Sequence, residues 1–244
     1  MPIMSDFASD IAAVRAATDR LLAGAGALDD AGAAAPSLLP GWTRGHVFAH
    51  IARNADAITN LLTWARTDVK TPMYASPEAR DADIERDSAR PLAAHLDDLR
   101  ASADRFDAAA EALPEERREY VVEMRNGVTD QAARLPYRRL VEVELHHVDL
   151  GIGYGLDDLP AAFVTREIAF MAGVKLAGRA EVPALRLTAS DGSSWRTGRE
   201  DGDVTTVTGS PTDLLGWLVG RADGAGLEVR GASSGALLPA LPPL

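Results

Sequence analysis

The hydrophobic periodicity of this chain changes near residue 155, and that change constrains the fold more than any other feature of the sequence. Before this point apolar residues recur every three to four positions, which is typical of amphipathic helices. After it, short runs rich in β-branched residues alternate with Asp-Gly and Gly-Arg pairs, which is typical of strands joined by turns. We therefore expect a mainly α chain with a small α+β part, divided into domains 1–155 and 156–244.

Four helices are predicted in the first domain, at residues 5–24, 43–65, 76–113 and 137–150. Four helices of this length form a bundle. Between the last two, valines flank Asn126-Gly127, which predicts a hairpin or a long loop. In the second domain the pattern predicts helices at 160–178 and 211–220, and strands at 184–190, 194–197, 204–208 and 227–230.

The composition excludes several classes of function. The 244 residues include no cysteine, so disulfides, thiolate metal sites and a cysteine nucleophile are excluded, and any thiol must come from outside. A net charge of −11 argues against binding to nucleic acid or to an anionic membrane. No apolar run approaches the ~18–20 residues of a membrane span, and Met1–Asp10 does not resemble a secretory signal. We expect a soluble, cytoplasmic monomer.

A polar stripe on the fourth predicted helix is the main chemical signal. Glu142, His146 and Asp149 recur at i, i+4 and i+7 between apolar ladders, so they are expected to point inward. Burying a carboxylate and an imidazole is costly unless they are paired or bind a metal ion. His50, beside an apolar stripe of the second helix, is a natural third member. His50, Glu142 and His146 would form a His₂Glu donor set that suits a divalent ion such as Zn²⁺ with an open fourth position.

The spacing leaves other interpretations open. In the simplest one, the i, i+4 pair forms a local hydrogen bond and His50 is a core histidine. Two rival ligand sets fit the spacing as well, namely His46 with His50 and Glu144 with His147. Arg221, which follows the last predicted helix, either interacts with the helix dipole or binds a carboxylate through two parallel hydrogen bonds.

Several segments carry a family resemblance: GWTRGHVFAHIARNAD (41–56), WART (64–67), TPMYASPEAR (71–80) and EVELHHVDL (142–150). The first and last are similar to the wider superfamily of DinB-like, metal-binding, thiol-dependent transferases. The Thr-Pro-Met-Tyr loop resembles, more narrowly, the mycothiol-dependent maleylpyruvate isomerases. Gly220-Arg221 resembles the C-terminal arginine site of that family.

The resemblance implies a DinB-like four-helix bundle followed by an α+β domain similar to sterol-carrier proteins. It implies His50, Glu142 and His146 as metal ligands, with zinc the expected ion, and Arg221 as the catalytic arginine. Mycothiol would be the thiol cofactor, although no residue is assigned to its binding. The partners would be mycothiol and a small dicarboxylate substrate.

The reaction that the resemblance implies is the cis–trans isomerisation of maleylpyruvate to fumarylpyruvate, in gentisate breakdown, by reversible thiolate addition to the double bond. The alternative is a mycothiol S-transferase that conjugates another electrophilic substrate. A third possibility, suggested by the sterol-carrier-like part, is a lipid or small-ligand binder without catalytic activity. The metal ligand set favours either enzyme over the binder, and the Thr-Pro-Met-Tyr loop favours the isomerase.

Overall fold

The computed structural model describes residues 6–231 and 237–242, which form two compact units. The first unit ends at Gly155 and the second begins at Leu156. Most of the described residues are helical, and the strands are few and short. The prediction of a mainly α chain with a small α+β part is therefore confirmed.

The first unit is built from helices α1 (Phe7–Ala25), α2 (Asp30–Ala34), α3 (Arg44–Thr67), α4 (Pro77–Ser88), α5 (Leu92–Glu111) and α6 (Leu135–Asp149). Helices α1, α3, α5 and α6 pack against one another as a four-helix bundle, and α4 packs against α3. Large side chains of α3 are buried at the centre of this bundle: Phe48, Ile51, Ile58, Leu61 and Leu62. The predicted bundle is confirmed.

The prediction of a single helix over residues 76–113 is wrong, because two helices separated by a break cover this stretch. Pro91 cannot donate a backbone hydrogen bond, and its ring keeps Arg90 from continuing a helix. Asp87, which is 1% exposed, forms ion pairs at the break with Arg53, Arg86 and Arg90. The break separates α4 from α5.

Helix α4 approaches α3 closely at Gly45, and this contact supplies a prediction. A Cβ atom at residue 45 would lie 2.0 Å from the carbonyl oxygen of Ser88. We expect Gly45→Ala to lower the free energy of unfolding by about 2–3 kcal/mol, because one of the two backbones must move. Urea titration followed by circular dichroism measures the change. Gly173→Ala is the control, since nothing lies within 4 Å of its added Cβ; equal midpoints for both variants would contradict the close approach.

A short hairpin lies between the last two helices of the bundle. Strands β1 (Val121–Glu123) and β2 (Thr129–Gln131) pair antiparallel. The turn contains Asn126 and Gly127 at φ values of 60° and 71°, a left-handed conformation that Asn and Gly adopt most readily. The hairpin predicted at Asn-Gly is confirmed.

The second unit is a small α+β fold. Helix α7 (Ala161–Phe170) continues into a π-helical turn, Met171–Lys175, and is followed by β3 (Leu185–Ala189), β4 (Ser194–Thr197), β5 (Thr205–Gly209), α8 (Pro211–Leu218) and β6 (Glu228–Arg230). The sheet has the order β4-β3-β5-β6, in which only β3 and β5 are parallel. Helix α8 packs on β3, β5 and α7. Among the described residues, no helix is both long enough and apolar enough to cross a membrane.

Candidate metal centre

Three side chains that the sequence analysis singled out meet at one point of the first unit. The structure brings a donor atom from each of His50, Glu142 and His146 to within 4.8 Å of the others. Oε2 of Glu142 lies 3.0 Å from Nε2 of His50 and 3.4 Å from Nε2 of His146. Within residues 6–231 and 237–242, no other three His, Asp or Glu side chains are placed to hold an ion. Glu142 remains 34% exposed, so a ligand can reach the centre.

Helices α3 and α6 hold this arrangement through contacts that do not involve the three side chains. Arg44, the first residue of α3, donates to the carbonyl oxygens of Leu150 (2.8 Å) and Gly151 (3.1 Å) just beyond the end of α6. These bonds satisfy carbonyls that a helix terminus leaves without a partner. The two histidine-bearing helices are therefore tied together by these contacts between Arg44 and the backbone.

Asp149 orients one of the two histidines. Its carboxylate lies 2.8 Å from Nδ1 of His146 and is almost completely buried. A carboxylate on Nδ1 keeps the proton on that nitrogen, which leaves Nε2 free to bind a metal ion. Asp149, the last residue of the polar stripe on α6, thus fixes the orientation of the His146 ring.

Removing this carboxylate gives a prediction about metal affinity. Asp149→Ala is expected to weaken zinc binding by about 10–100-fold, because the His146 ring loses the partner that fixes its orientation. Competition with a chromophoric chelator measures the affinity. Glu144→Gln is the matched control, since Glu144 is a buried acid on the same helix that pairs instead with Arg20 and Tyr154. Equal affinity in the two variants would argue against the orienting role.

The charges of the three side chains favour a cation at the centre. Burial lowers the pKa of His50 to about 4, so its imidazole is neutral near pH 7. Burial opposes ionisation of Glu142, but hydrogen bonds with His146 and His50 outweigh it and hold the pKa of this carboxyl well below its usual value. Burial alone would lower the pKa of His146, but hydrogen bonds with Asp149 and Glu142 outweigh burial and raise this pKa above its usual value. The centre thus holds a carboxylate, the neutral imidazole of His50 and a second imidazole whose protonated form is favoured by its two acidic neighbours, and a divalent ion competes with that proton.

Two arginines border the centre, and the sequence analysis gave neither a role. Nη2 of Arg80, on α4, lies 3.1 Å from Nδ1 of His50. Arg139 is fully buried on α6 and donates to Asn54 and to the Ile51 carbonyl oxygen at 2.8–2.9 Å. Burial lowers the pKa of Arg139 to about 10, so the side chain remains a cation near neutral pH. Nothing in the sequence distinguishes Arg139 from other helical arginines, whereas Arg80 ends the TPMYASPEAR segment.

The rival ligand sets do not form. His46 belongs to a capping box at the start of α3, in which its ring and the Thr43 hydroxyl each accept from the other residue's backbone amide. His147 stacks on Tyr154 with ring centroids 3.9 Å apart. Glu144 accepts hydrogen bonds from Arg20 and from the Tyr154 hydroxyl. Each of these groups therefore has a structural partner.

Arg221 lies in the second unit, after α8. Its guanidinium donates to the carbonyl oxygen of Val219 (2.7 Å), and Gly220 turns the chain with a φ of 69°. Arg221 also lines a cavity of about 600 Å³ with Trp217 and with residues 238–242. The bond to a carbonyl at the helix end matches the simpler interpretation from sequence. Carboxylate binding by Arg221 stays a prediction.

Both units match models of known protein families. Residues 14–151 match the mycothiol maleylpyruvate isomerase N-terminal domain, and residues 158–239 match the MDMPI C-terminal domain. Two solved structures are similar to this chain, namely a mycothiol-dependent maleylpyruvate isomerase and a histidine-to-alanine mutant of it. Each is 28% identical, with a TM-score of 0.84 over 98% of this chain and 97% of the other. No curated protein sequence matches significantly.

Proposed function

This chain belongs to the mycothiol maleylpyruvate isomerase family, and on that premise we propose that it converts maleylpyruvate to fumarylpyruvate with a divalent metal ion and mycothiol. The observation that carries the proposal is the convergence of His50, Glu142 and His146 in a chain whose two units both match that family. The zero cysteine count agrees with a nucleophile that comes from outside. We further propose a monomer in the cytoplasm, and size-exclusion chromatography tests the monomeric state.

The chemistry follows from the properties of a double bond. A C=C bond does not rotate at ambient temperature, but addition of a thiolate to a double bond conjugated with a ketone leaves a single bond and an enolate. Rotation about that single bond, followed by loss of the thiolate, gives the trans isomer. This series of steps is covalent catalysis with a nucleophile supplied by a cofactor, and it consumes neither the thiol nor a proton.

The residues of the first unit fit a metal ion that activates the thiol. A bound divalent cation lowers the pKa of a coordinated thiol, so that the thiolate is present at neutral pH. His50 and His146 supply nitrogen donors and Glu142 an oxygen donor, a set typical of zinc sites with an open position. Asp149 orients His146, and the partial exposure of Glu142 supports access of the thiol to the centre.

Arg221 is the proposed catalytic arginine. The substrate is a dianion that approaches a protein of net charge −11, so a local guanidinium is needed to attract it. Arg221 binds a carboxylate and stabilises the negative charge that develops on the enolate. Its position on the wall of a cavity supports this role.

The direct experiment measures the turnover of maleylpyruvate by the purified protein with and without mycothiol, and after treatment with a chelator. Isomerisation that needs both the thiol and the metal ion is the expected result. Elemental analysis of the same sample identifies the ion. A mycothiol S-transferase would instead leave maleylpyruvate unchanged and form a stable thioether with an alkylating electrophile.

A further inference from the structure

One end of the Arg80 guanidinium pairs with a carboxylate, whereas the other end faces an imidazole. The Arg80 side chain is only 12% exposed, yet Asp81, its one ion-pair partner among the described residues, is 65% exposed. The other end of the guanidinium, Nη2, lies 3.1 Å from Nδ1 of His50, which is an imidazole and not a carboxylate. A partly buried cation with an imidazole on its inner side is a place where an anion binds favourably.

The neighbourhood of Arg80 is positive as well. Arg139 is a second, fully buried cation close enough to Glu142 for the two charges to interact. A divalent ion on His50, Glu142 and His146 would add more positive charge than Glu142 neutralises. A buried excess of one sign is costly unless ligands of the other sign balance it. The centre is therefore suited to anionic ligands, although the protein as a whole is acidic.

Tyr74 connects Arg80 to open space. The Tyr74 ring centre lies 5.9 Å from the guanidinium carbon of Arg80, and the same tyrosine lines an open cavity of about 330 Å³. Lys70 and Arg125 also line this cavity, opposed by Glu123. The cavity beside Tyr74 therefore carries two basic side chains, which attract a negatively charged ligand.

We propose that Arg80 is a specificity-determining residue that binds one carboxylate of the dicarboxylate substrate. This inference rests on the proposed function and gives the first unit a guanidinium of its own for the substrate. Two parallel N–H bonds from a planar guanidinium match the two oxygens of a carboxylate, whereas a lysine supplies only a point charge.

The hydrogen bond between Arg80 and His50 is compatible with this role. Arginine only donates, so Nδ1 of His50 accepts and Nε2 carries the ring proton toward Glu142. If His50 held a metal ion through Nε2, the ring proton would reside on Nδ1, which could then no longer accept from Arg80. Nη2 would then be available to a carboxylate oxygen.

The test measures binding to zinc-loaded protein by calorimetry, with maleate and its monomethyl ester as probes and without mycothiol. Wild-type protein is expected to bind maleate roughly 30-fold more tightly than the ester, as a charge-assisted pair predicts. Arg80→Gln is expected to reduce that preference to about threefold or less, and Arg80→Lys to an intermediate value. Arg86→Gln is the control, because Arg86 lies on the same helix and pairs with Asp83 and Asp87.

Turnover and metal content separate this role from a structural one. Arg80→Gln is expected to raise the KM for maleylpyruvate by about tenfold or more, with kcat changed less than about threefold and zinc content unchanged. Loss of zinc in both Arg80 variants would show that Arg80 positions His50, and an unchanged preference for maleate would show that it binds no carboxylate. Either result overturns the inference. Wild-type protein that binds maleate but does not isomerise maleylpyruvate would overturn the proposed function alone.

Discussion

The His50→Ala protein is expected to contain no tightly bound metal and to isomerise maleylpyruvate at least about a thousandfold more slowly than wild type. The variant removes one of two nitrogen donors from a centre whose donor atoms all lie within 4.8 Å. Without a metal ion the thiol stays protonated at neutral pH, so the nucleophile is scarce. Elemental analysis after dialysis, combined with a turnover assay at saturating mycothiol, measures both effects. Glu142→Ala and His146→Ala are expected to behave in the same way.

Two further histidines of the same helices are matched controls for this prediction. His46→Ala removes a ring four residues before His50 that takes part in a capping box and contacts Glu85. His147→Ala removes the ring next to His146, which stacks on Tyr154. Both variants are expected to retain the metal ion and most of the turnover, whatever their cost in stability. Metal retention by His50→Ala together with metal loss in either control would place the ion elsewhere.

The Arg221→Ala protein is expected to keep its metal ion and to lose turnover by about 10²–10³-fold. The guanidinium belongs to the second unit and is not among the donor atoms of the metal centre, so zinc content is a clean internal reference. The physical reason for the loss is that the substrate carboxylate and the enolate charge lose their counter-ion. Steady-state kinetics and elemental analysis on the same preparation provide the measurement.

Arg230→Ala is the control for Arg221, because Arg230 lies in the same unit, is 81% exposed and pairs only with Glu228 in the described structure. Arg221→Lys tests geometry, since lysine keeps the charge but not the paired hydrogen bonds. We expect full turnover for Arg230→Ala and partial recovery for Arg221→Lys relative to Arg221→Ala. Full activity in Arg221→Ala would show that Arg221 has no catalytic role and that its contact with the helix end is structural.

The metal centre could be predicted in part because Glu142 and His146 are one helical turn apart within an apolar pattern. The spacing could not exclude the rival set of His46 with His50, since these two histidines are also one turn apart. The structure separates them through Thr43, whose amide and hydroxyl engage the His46 ring. The pattern Thr-x-x-His at a helix start is a signal that could have suggested this capping role.

Other features depend on packing between distant segments and leave a weaker signal in the sequence. The break before Pro91 was predictable from the proline, whereas the three arginines that converge on Asp87 come from α3, α4 and the break itself. Arg80, on α4, contacts His50, which lies 30 residues earlier on α3. Arg139 is buried against the carbonyl oxygen of Ile51, a partner 88 residues earlier in the chain. Contacts of this kind follow from the tertiary arrangement and not from local spacing.

The bonds from Arg44 to the end of α6 bear on how the enzyme acquires its ion. They join the two ligand-bearing helices independently of His50, Glu142 and His146, so the scaffold does not depend on the cation for its integrity. Zinc-finger domains differ, because they unfold when the ion is withdrawn. The protein without its ion is therefore expected to stay folded and to be reloaded, so the supply of the ion would set the active fraction without new protein synthesis.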